Sequence, residues 1–398
     1  VVSKRHEDDT MPDCEGILIV GAGPVGLSAA LELARFGEPV RIIDQKVEPS
    51  QYSKAIGINT RTLELLEPSG VTPRLLQQGV RIPGVQFATG QRPLFTIDFS
   101  RLPHRYNFML GLAQSETERI LEARLARFGV EVERGVKFEQ LRQDADGVIA
   151  LLSDREGASE ARARYLIGAD GARSPVRHAL KVAFPGTTMH QRWSLADIRL
   201  GAALDNPAAR VIVRPDSMLF MLRFQDRVYR VASNRPDVLS RLDPALGVEE
   251  VLWQSDFRVN HRQAATYSRG RVFLAGDAAH IHSPLGARGM NMGIEDACTL
   301  AVCMANDRAQ SYSAARHHAG ATAIRLIRAQ TRLATGSTRS IRMARAEVLP
   351  YLLRIGVLHD ALLRRMAGLG YATGTCDQPP PARRRSRPTG QARQVPRS

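Results

Sequence analysis

The chain has 398 residues, of which 43% are hydrophobic and 24% charged, a balance that excludes a mostly disordered protein. No apolar run approaches the roughly 18 residues that cross a bilayer, and Val1 to Asp13 is polar and mixed in charge, unlike a secretory leader. The net charge of +15 sits mainly at one end: six Arg and no acid from Gln378 to Ser398, and nine Arg against Glu347 and Asp360 from Arg325 to Arg365. The remainder is near neutral, which argues against nucleic acid as a partner of the folded part.

In chain order, Gly16 to Gly21 reads as a short buried strand, Pro24 to Phe36 as a helix stopped by Gly37, and Val40 to Asp44 as a second strand. This strand–helix–strand unit predicts a right-handed parallel crossover. Helices are expected over 59–66 and 114–128, followed by strands at 130–133, 136–141, 148–152 and 164–168. From Thr188 to Tyr267 short β-like segments separated by Pro, Asp and Asn predict an antiparallel sheet. Arg271 to Ala275 reads as another buried strand, leading through a glycine-rich stretch into a helix over 289–304. Residues after Ser311 read as helical to about Gly370, with Leu349, Leu352, Leu353, Leu358, Leu362 and Leu363 as a core-facing stripe. From Gln378 the Pro/Arg-rich composition predicts a disordered tail. Cys14, Cys298, Cys303 and Cys376 are scattered with no C-x-x-C pair, the usage of reduced thiols in a cytoplasmic protein and of a chain without a metal site.

Three segments carry chemistry. Gly21-Ala22-Gly23-Pro24-Val25-Gly26 is a G-x-G-x-x-G between the first strand and first helix. Its glycines permit a tight turn, close approach to a pyrophosphate, and helix–strand packing. Asp44, at the end of the second strand, can accept hydrogen bonds from an adenosine ribose. The motif alone does not choose between FAD and NAD. Leu166 to Ser174 (LIGADGARS) is a strand running into Asp-Gly, a pair equally at home in a plain turn. Gly276-Asp277-Ala278-Ala279-His280, then Pro284 and Gly286 to Asn291, places a carboxylate after a buried strand and a glycine-rich helix start. That arrangement suits a ligand with hydroxyls and developing negative charge.

Taken in order, GAGPVG at 21–26, Asp44, Ser53-Lys54-Ala55, Gln114 with Glu118, GADGARS at 168–174 and GDAAHIHSPLGARGMNMGIEDA at 276–297 resemble one family. It is that of the FAD-dependent aromatic monooxygenases typified by 4-hydroxybenzoate hydroxylase, the group A flavoprotein hydroxylases. The resemblance implies an α/β fold with a Rossmann-like FAD-binding domain on a parallel sheet, an antiparallel-sheet substrate domain and C-terminal helices. The FAD-binding part would span 14–187 and 269–330, with 83–103 available to a substrate domain at 188–268. A helical segment at 331–375 and the basic tail at 376–398 would follow.

By the same resemblance, Gly21, Gly23, Pro24 and Gly26 would hold the FAD pyrophosphate, and Asp44, Gln45 and Lys46 the adenosine end. Lys54 and Gln114 would meet the ribityl–phosphate region. Asp170, Gly171 and Arg173 match the motif serving FAD and a transient NADPH or NADH. Gly276 and Asp277 would reach the ribityl chain, and Pro284, Gly286, Gly289, Met290 and Asn291 the isoalloxazine. The implied reaction hydroxylates a small phenolic or polycyclic aromatic with O₂ through a flavin C4a-hydroperoxide. Tyr229, His280, His282 and Arg288 are polar candidates for a catalytic part, the first three read more simply as packing or supporting contacts and Arg288 as placed to reach a substrate or a phosphate. A monomer or homodimer without membrane partners is expected. Epoxidation, Baeyer–Villiger insertion, or a flavin-fold binding protein without turnover remain alternatives on the same scaffold.

Overall fold

The computed structural model describes residues 16–49, 55–204, 208–215, 217–336, 338–343, 351 and 356–370. The expectations for the N-terminal stretch, for Ser53-Lys54 and for the basic tail lie outside these residues.

The first apolar run forms strand β1 (Ile17–Val20), every residue of which is buried. It can be apolar throughout because it lies between parallel neighbours and is covered on both sides. Helix α1 (Pro24–Arg35) and strand β2 (Val40–Asp44) complete the crossover. The sheet continues in the order 268–269, 272–274, 165–168, β1, β2, 132–134, parallel except for the 268–269 edge. Helix α1 packs against the helices Gln114–Leu125 and Gly289–Ala305. An antiparallel meander of 137–143, 148–153 and 158–163 adds Phe138, Val148 and Leu152 to the same core as Ile17, Ile42 and Leu166.

A second sheet has eight strands in the order 280–281, 248–263, 186–200, 228–233, 218–225, 209–213, 84–89, 92–98. Every pairing is antiparallel save that of 209–213 with 84–89. Two of its strands, Gly186–Leu200 and Val248–Gln263, run 15 and 16 residues, far longer than the short segments expected from sequence. One face carries Tyr229, Val231, Ile198, Leu219 and Met221 in a closed apolar cluster. The opposite face presents Phe220, Leu222, Phe87 and Trp193 toward the loop containing Leu285 and Ala287. The two sheets are joined at this loop: His280–Ile281 pairs with Arg262 and Gln263 immediately after the parallel strand 272–274 ends.

The C-terminal region is not one continuous helix. Ser311–Thr335 stops before Gly336, where a Cβ would lie 2.7 Å from the Arg332 carbonyl oxygen. Short helices at Arg339–Met343 and Gly356–Met366 follow. The leucine stripe is split accordingly: Leu363 is buried, Leu358 is exposed, and Leu349, Leu352 and Leu353 lie outside the described residues. Cys298 is a free buried thiol whereas Cys303 is disulfide-bonded, a departure from four reduced cysteines. No described helix is long and apolar enough to cross a membrane.

Candidate active site

At the end of β1 the chain turns through Gly21, whose φ of +105° favours glycine. A Cβ there would lie 2.5 Å from the Ala169 carbonyl oxygen, and one at Gly26 only 1.8 Å from the Gly21 oxygen. At Gly23 a Cβ would meet nothing within 4 Å. Two of the three glycines therefore lock the turn, and the third faces open space. Helix α1 has Gly23 as its cap residue without a capping side chain, and its first bond runs from Leu27 N–H to Gly23 C=O. The N–H groups of Val25 and Gly26 precede that bond and have no intrahelical acceptor, an anion-binding terminus. Asp44 fastens the turn: one carboxylate oxygen accepts the Ala22 N–H and the other the Lys46 N–H, both at 2.8 Å. Gln45 and Lys46 are exposed beside it. Gln114 bridges the Ala55 N–H (3.1 Å) and the Glu118 carboxylate (2.8 Å), and burial raises the Glu118 carboxyl above its ordinary value.

The strand Tyr165–Gly168 delivers Asp170 to the same edge. One Asp170 oxygen accepts the Val176 N–H at 2.9 Å, and the other is buried with no partner. Burial raises this carboxyl, while Ser174 and the Val176 amide pull it back. Gly171, at φ +81°, leaves open space where a Cβ would project. Arg173 is exposed. The arginine that organises this loop is Arg177, which sequence reasoning missed: it donates to the carbonyls of Ala172 and Ala278, each at 2.9 Å. Its guanidinium lies 4.0 Å from the Phe184 ring centroid.

The third segment closes the site. Gly276 has φ +62° and its N–H donates to Asp296 at 3.1 Å. Cβ atoms at Gly276 and Gly293 would lie 2.8 and 2.5 Å from a Val25 methyl, so strand end, α1 and the helix Gly289–Ala305 meet at one point. Asp277 and Pro284 are exposed at this edge. Gly286 and Ala287 both take positive φ, +82° and +51°, the latter a strained conformation for a residue with a Cβ. The first bond of the helix runs from Met292 N–H to Arg288 C=O, leaving the N–H groups of Gly289, Met290 and Asn291 without intrahelical acceptors. The Asn291 side chain is fully committed elsewhere, donating to the Gly57 and Ala287 carbonyls and accepting from the Asn59 N–H. Only its backbone faces outward along the helix axis.

The four polar candidates separate. Tyr229 lies in the closed cluster, its hydroxyl accepting the Leu204 N–H at 2.9 Å, and is structural. His280 is buried against Asp296 at 2.6 Å, and Arg288 is buried against Glu295 at 3.0 Å. Asp296 also takes Arg316 at 2.6 Å, and Arg316 reaches Glu295 at 3.4 Å. Burial alone would raise Asp296, but His280 and Arg316 hold it below its ordinary value. His280 and Arg288 thus belong to a charge network beneath the site. His282 alone stays at the site: its Nδ1 donates to the Ser283 carbonyl at 2.8 Å and its buried Nε2 has no partner. Sequence reasoning also missed Arg316 and Asp296; the acid falls seven residues after Gly289 on the same helical face, a spacing that could have found it.

These features suit FAD: two uncapped helix N-termini, two glycines opening on space, and an orphaned Asp170 oxygen converge on the ends of three parallel strands. The FAD binding domain family matches residues 15–235 and 231–326. The chain belongs to this family, and it is an FAD-dependent monooxygenase. This monooxygenase is 33% identical over 348 residues to the 12-dehydrotetracycline 5-monooxygenase/anhydrotetracycline 6-monooxygenase of Streptomyces rimosus, covering 79% of the chain and 69% of that protein. The crystal structure of p-nitrophenol 4-monooxygenase from Pseudomonas putida DLL-E4 superposes with a TM-score of 0.84 at 25% identity, covering 91% of this chain and 99% of the other. A relative of different name, the dialkyldecalin synthase of Streptomyces rugosporus, is 31% identical over 387 residues, covering 89% of the monooxygenase and 77% of the synthase.

Proposed function

We propose that this monooxygenase hydroxylates a phenolic or polycyclic aromatic held between the eight-stranded sheet and the loop 284–289, using NADH or NADPH and O₂. The observation that carries the reading is the sheet face itself. Phe87 and Phe95 stack at 4.5 Å, and Trp193, Phe220 and Phe257 cluster with Leu285 of the loop that follows Asp277. An aromatic floor facing a flavin-binding edge suits a planar, electron-rich guest.

Bound FAD supplies the redox chemistry, accepting a hydride and activating O₂. The chain's residues bind, orient and exclude water. The N–H groups of Val25 and Gly26 face the pyrophosphate position, Asp44 and Gln114 hold the adenosine and ribityl flanks, and Asp277 meets a ribityl hydroxyl. The N–H groups of Gly289, Met290 and Asn291 lie where negative charge develops, and a helix N-terminus stabilises it. Buried Trp193 and Leu285, with half-buried Phe220 against them, keep the reacting region dry, which suppresses wasteful loss of reducing equivalents.

The test is direct. Purified protein retains FAD, phenols or hydroxyquinones accelerate NAD(P)H oxidation, and mass spectrometry finds a product heavier by one oxygen. FAD-loaded protein whose NAD(P)H oxidation no aromatic accelerates would favour the second reading that the decalin synthase relative raises, a flavin scaffold used without oxygenation.

A further inference from the structure

On the sheet face that meets the loop 284–289, several buried polar groups lack partners. Trp193 is fully buried and its indole N–H has no acceptor. His261 is 5% exposed, and neither ring nitrogen is hydrogen-bonded. His282 uses Nδ1 on the Ser283 carbonyl, which can only accept, so that nitrogen carries the proton and the buried Nε2 is a bare lone pair. Buried polar atoms are nearly always satisfied, so this many together on one face asks for an explanation.

The topology brings them to one strip. Trp193 pairs with Phe257, and Phe257, Val259 and His261 alternate onto the same face of their strand. Trp193, Val259 and Leu285 pack as one cluster, and Leu285 is three residues beyond His282. Arg262 pairs with Ile281 and Gln263 with His280 in antiparallel register, which carries His261 and His282 to neighbouring positions at the end of that ladder. The His282 ring lies against the helix start: a Cβ at Gly289 would have the His282 Cε1 as its nearest neighbour, at 4.0 Å. Both imidazoles stay uncharged at neutral pH. Burial pushes His282 down to about 3, and burial together with Arg328 and Arg332 lowers His261.

Resting on the hydroxylase reading above, we propose that Trp193, His261 and His282 form the hydrogen-bonding edge of the substrate site, matched to a ring system carrying a hydroxyl beside a carbonyl. The hydroxyl would donate to His282 Nε2, the carbonyl would accept from the Trp193 indole, and His261 can serve either group. A donor and a neutral acceptor set in an apolar wall discriminate strongly against a guest lacking the complementary group, because the wall's own polar atoms then stay unpaired.

The test uses FAD-loaded holoenzyme, with preparations matched for flavin content, and reads binding from the change in the visible flavin spectrum. The probes are 1,8-dihydroxyanthraquinone and its dimethyl ether, with 1-naphthol and 1-methoxynaphthalene as a smaller pair. The hydroxylated member of a pair should bind at least about 10-fold tighter to the wild type. His282→Phe and His261→Phe should each shrink that ratio to about 2-fold or less, and His282→Gln, which retains an acceptor, should recover most of it. Equal binding of hydroxy and methoxy probes, binding of none, or a ratio that survives both Phe variants overturns the proposal. Absence of FAD or of NAD(P)H oxidation would instead overturn the hydroxylase reading on which it rests.

Discussion

The parallel-sheet edge and the eight-stranded sheet face one another across the site, yet they are built on opposite principles. The first binds with backbone: glycines that remove side chains, helix termini that leave N–H groups free, and a few carboxylates that mostly fasten loops. The second presents side chains: stacked aromatics, a buried Asp197–Arg230 pair with both contacts at 2.7 Å, and polar ring atoms left unsatisfied. A backbone site tolerates almost no change in its glycines. A side-chain surface can exchange residues and so change its guest while the cofactor edge stays the same.

The largest effect should come from the glycines and should divide them. Gly26→Ala drives a methyl into the Gly21 carbonyl at 1.8 Å, contact with backbone that cannot rotate away. We expect a loss of about 3 kcal/mol or more, in urea denaturation, and no retained FAD. Gly23→Ala meets nothing within 4 Å; it should unfold within about 1 kcal/mol of wild type and yet bind FAD weakly, since the methyl points where the pyrophosphate would sit. Equal stability losses in both variants would break the distinction between locking and facing glycines.

Next in size is the charge network under the site. Arg316→Met leaves Asp296 and Glu295 buried with fewer counter-charges and should cost about 3–5 kcal/mol. Because Asp296 also holds the Gly276 N–H, the variant should lose FAD affinity beyond what its stability loss alone explains. Asp277→Ala sharpens the contrast from the other side. Asp277 is exposed, so stability should stay within about 0.5 kcal/mol, while FAD, measured by equilibrium titration, should bind about 10-fold more weakly.

The same contrast explains what sequence disclosed. The β1–α1–β2 unit, the Asp170 turn and the Gly276–Asp277 segment were legible because backbone sites require glycine at fixed spacing, and glycine leaves a mark. The sheet left little. Val248–Gln263 begins with exposed residues on both faces, so no period-2 pattern announces a strand of 16 residues. Asn291 sits at the start of the helix Gly289–Ala305, as its sequence context suggested, but its side chain's commitment to Gly57 and Asn59 joins residues more than 230 apart in sequence. Arg316 and Arg177 each act through tertiary contacts that no local motif encodes. Tyr229 illustrates the converse. Its hydroxyl looked available for chemistry but caps the Leu204 amide, and Tyr229→Phe should cost about 1 kcal/mol with aromatic-stimulated NAD(P)H oxidation intact.

The last prediction, an effect absent at neutral pH, concerns acid stability and bears on whether the polar strip is as dry as the aromatic floor around it. His282 titrates near 3 in the folded chain against roughly 6.5 when unfolded. Between those values the unfolded state binds the extra proton, so stability falls as pH drops from about 6.5 toward 3. The buried carboxyls oppose this: Glu118 and Asp170 titrate above their ordinary values, so they favour the folded state as pH falls. The raw acid limb therefore mixes both signs, and the informative quantity is the difference between wild type and His282→Gln. That difference should be flat above pH 7 and then grow steadily in the variant's favour from about pH 6.5 down to pH 4. Asp296, held low by His280 and Arg316, loses its contribution only at the acid end and cancels in the subtraction. A difference that stays flat throughout would mean that water reaches the His282 ring and that its unpartnered nitrogen is not the desolvated acceptor the sheet face requires.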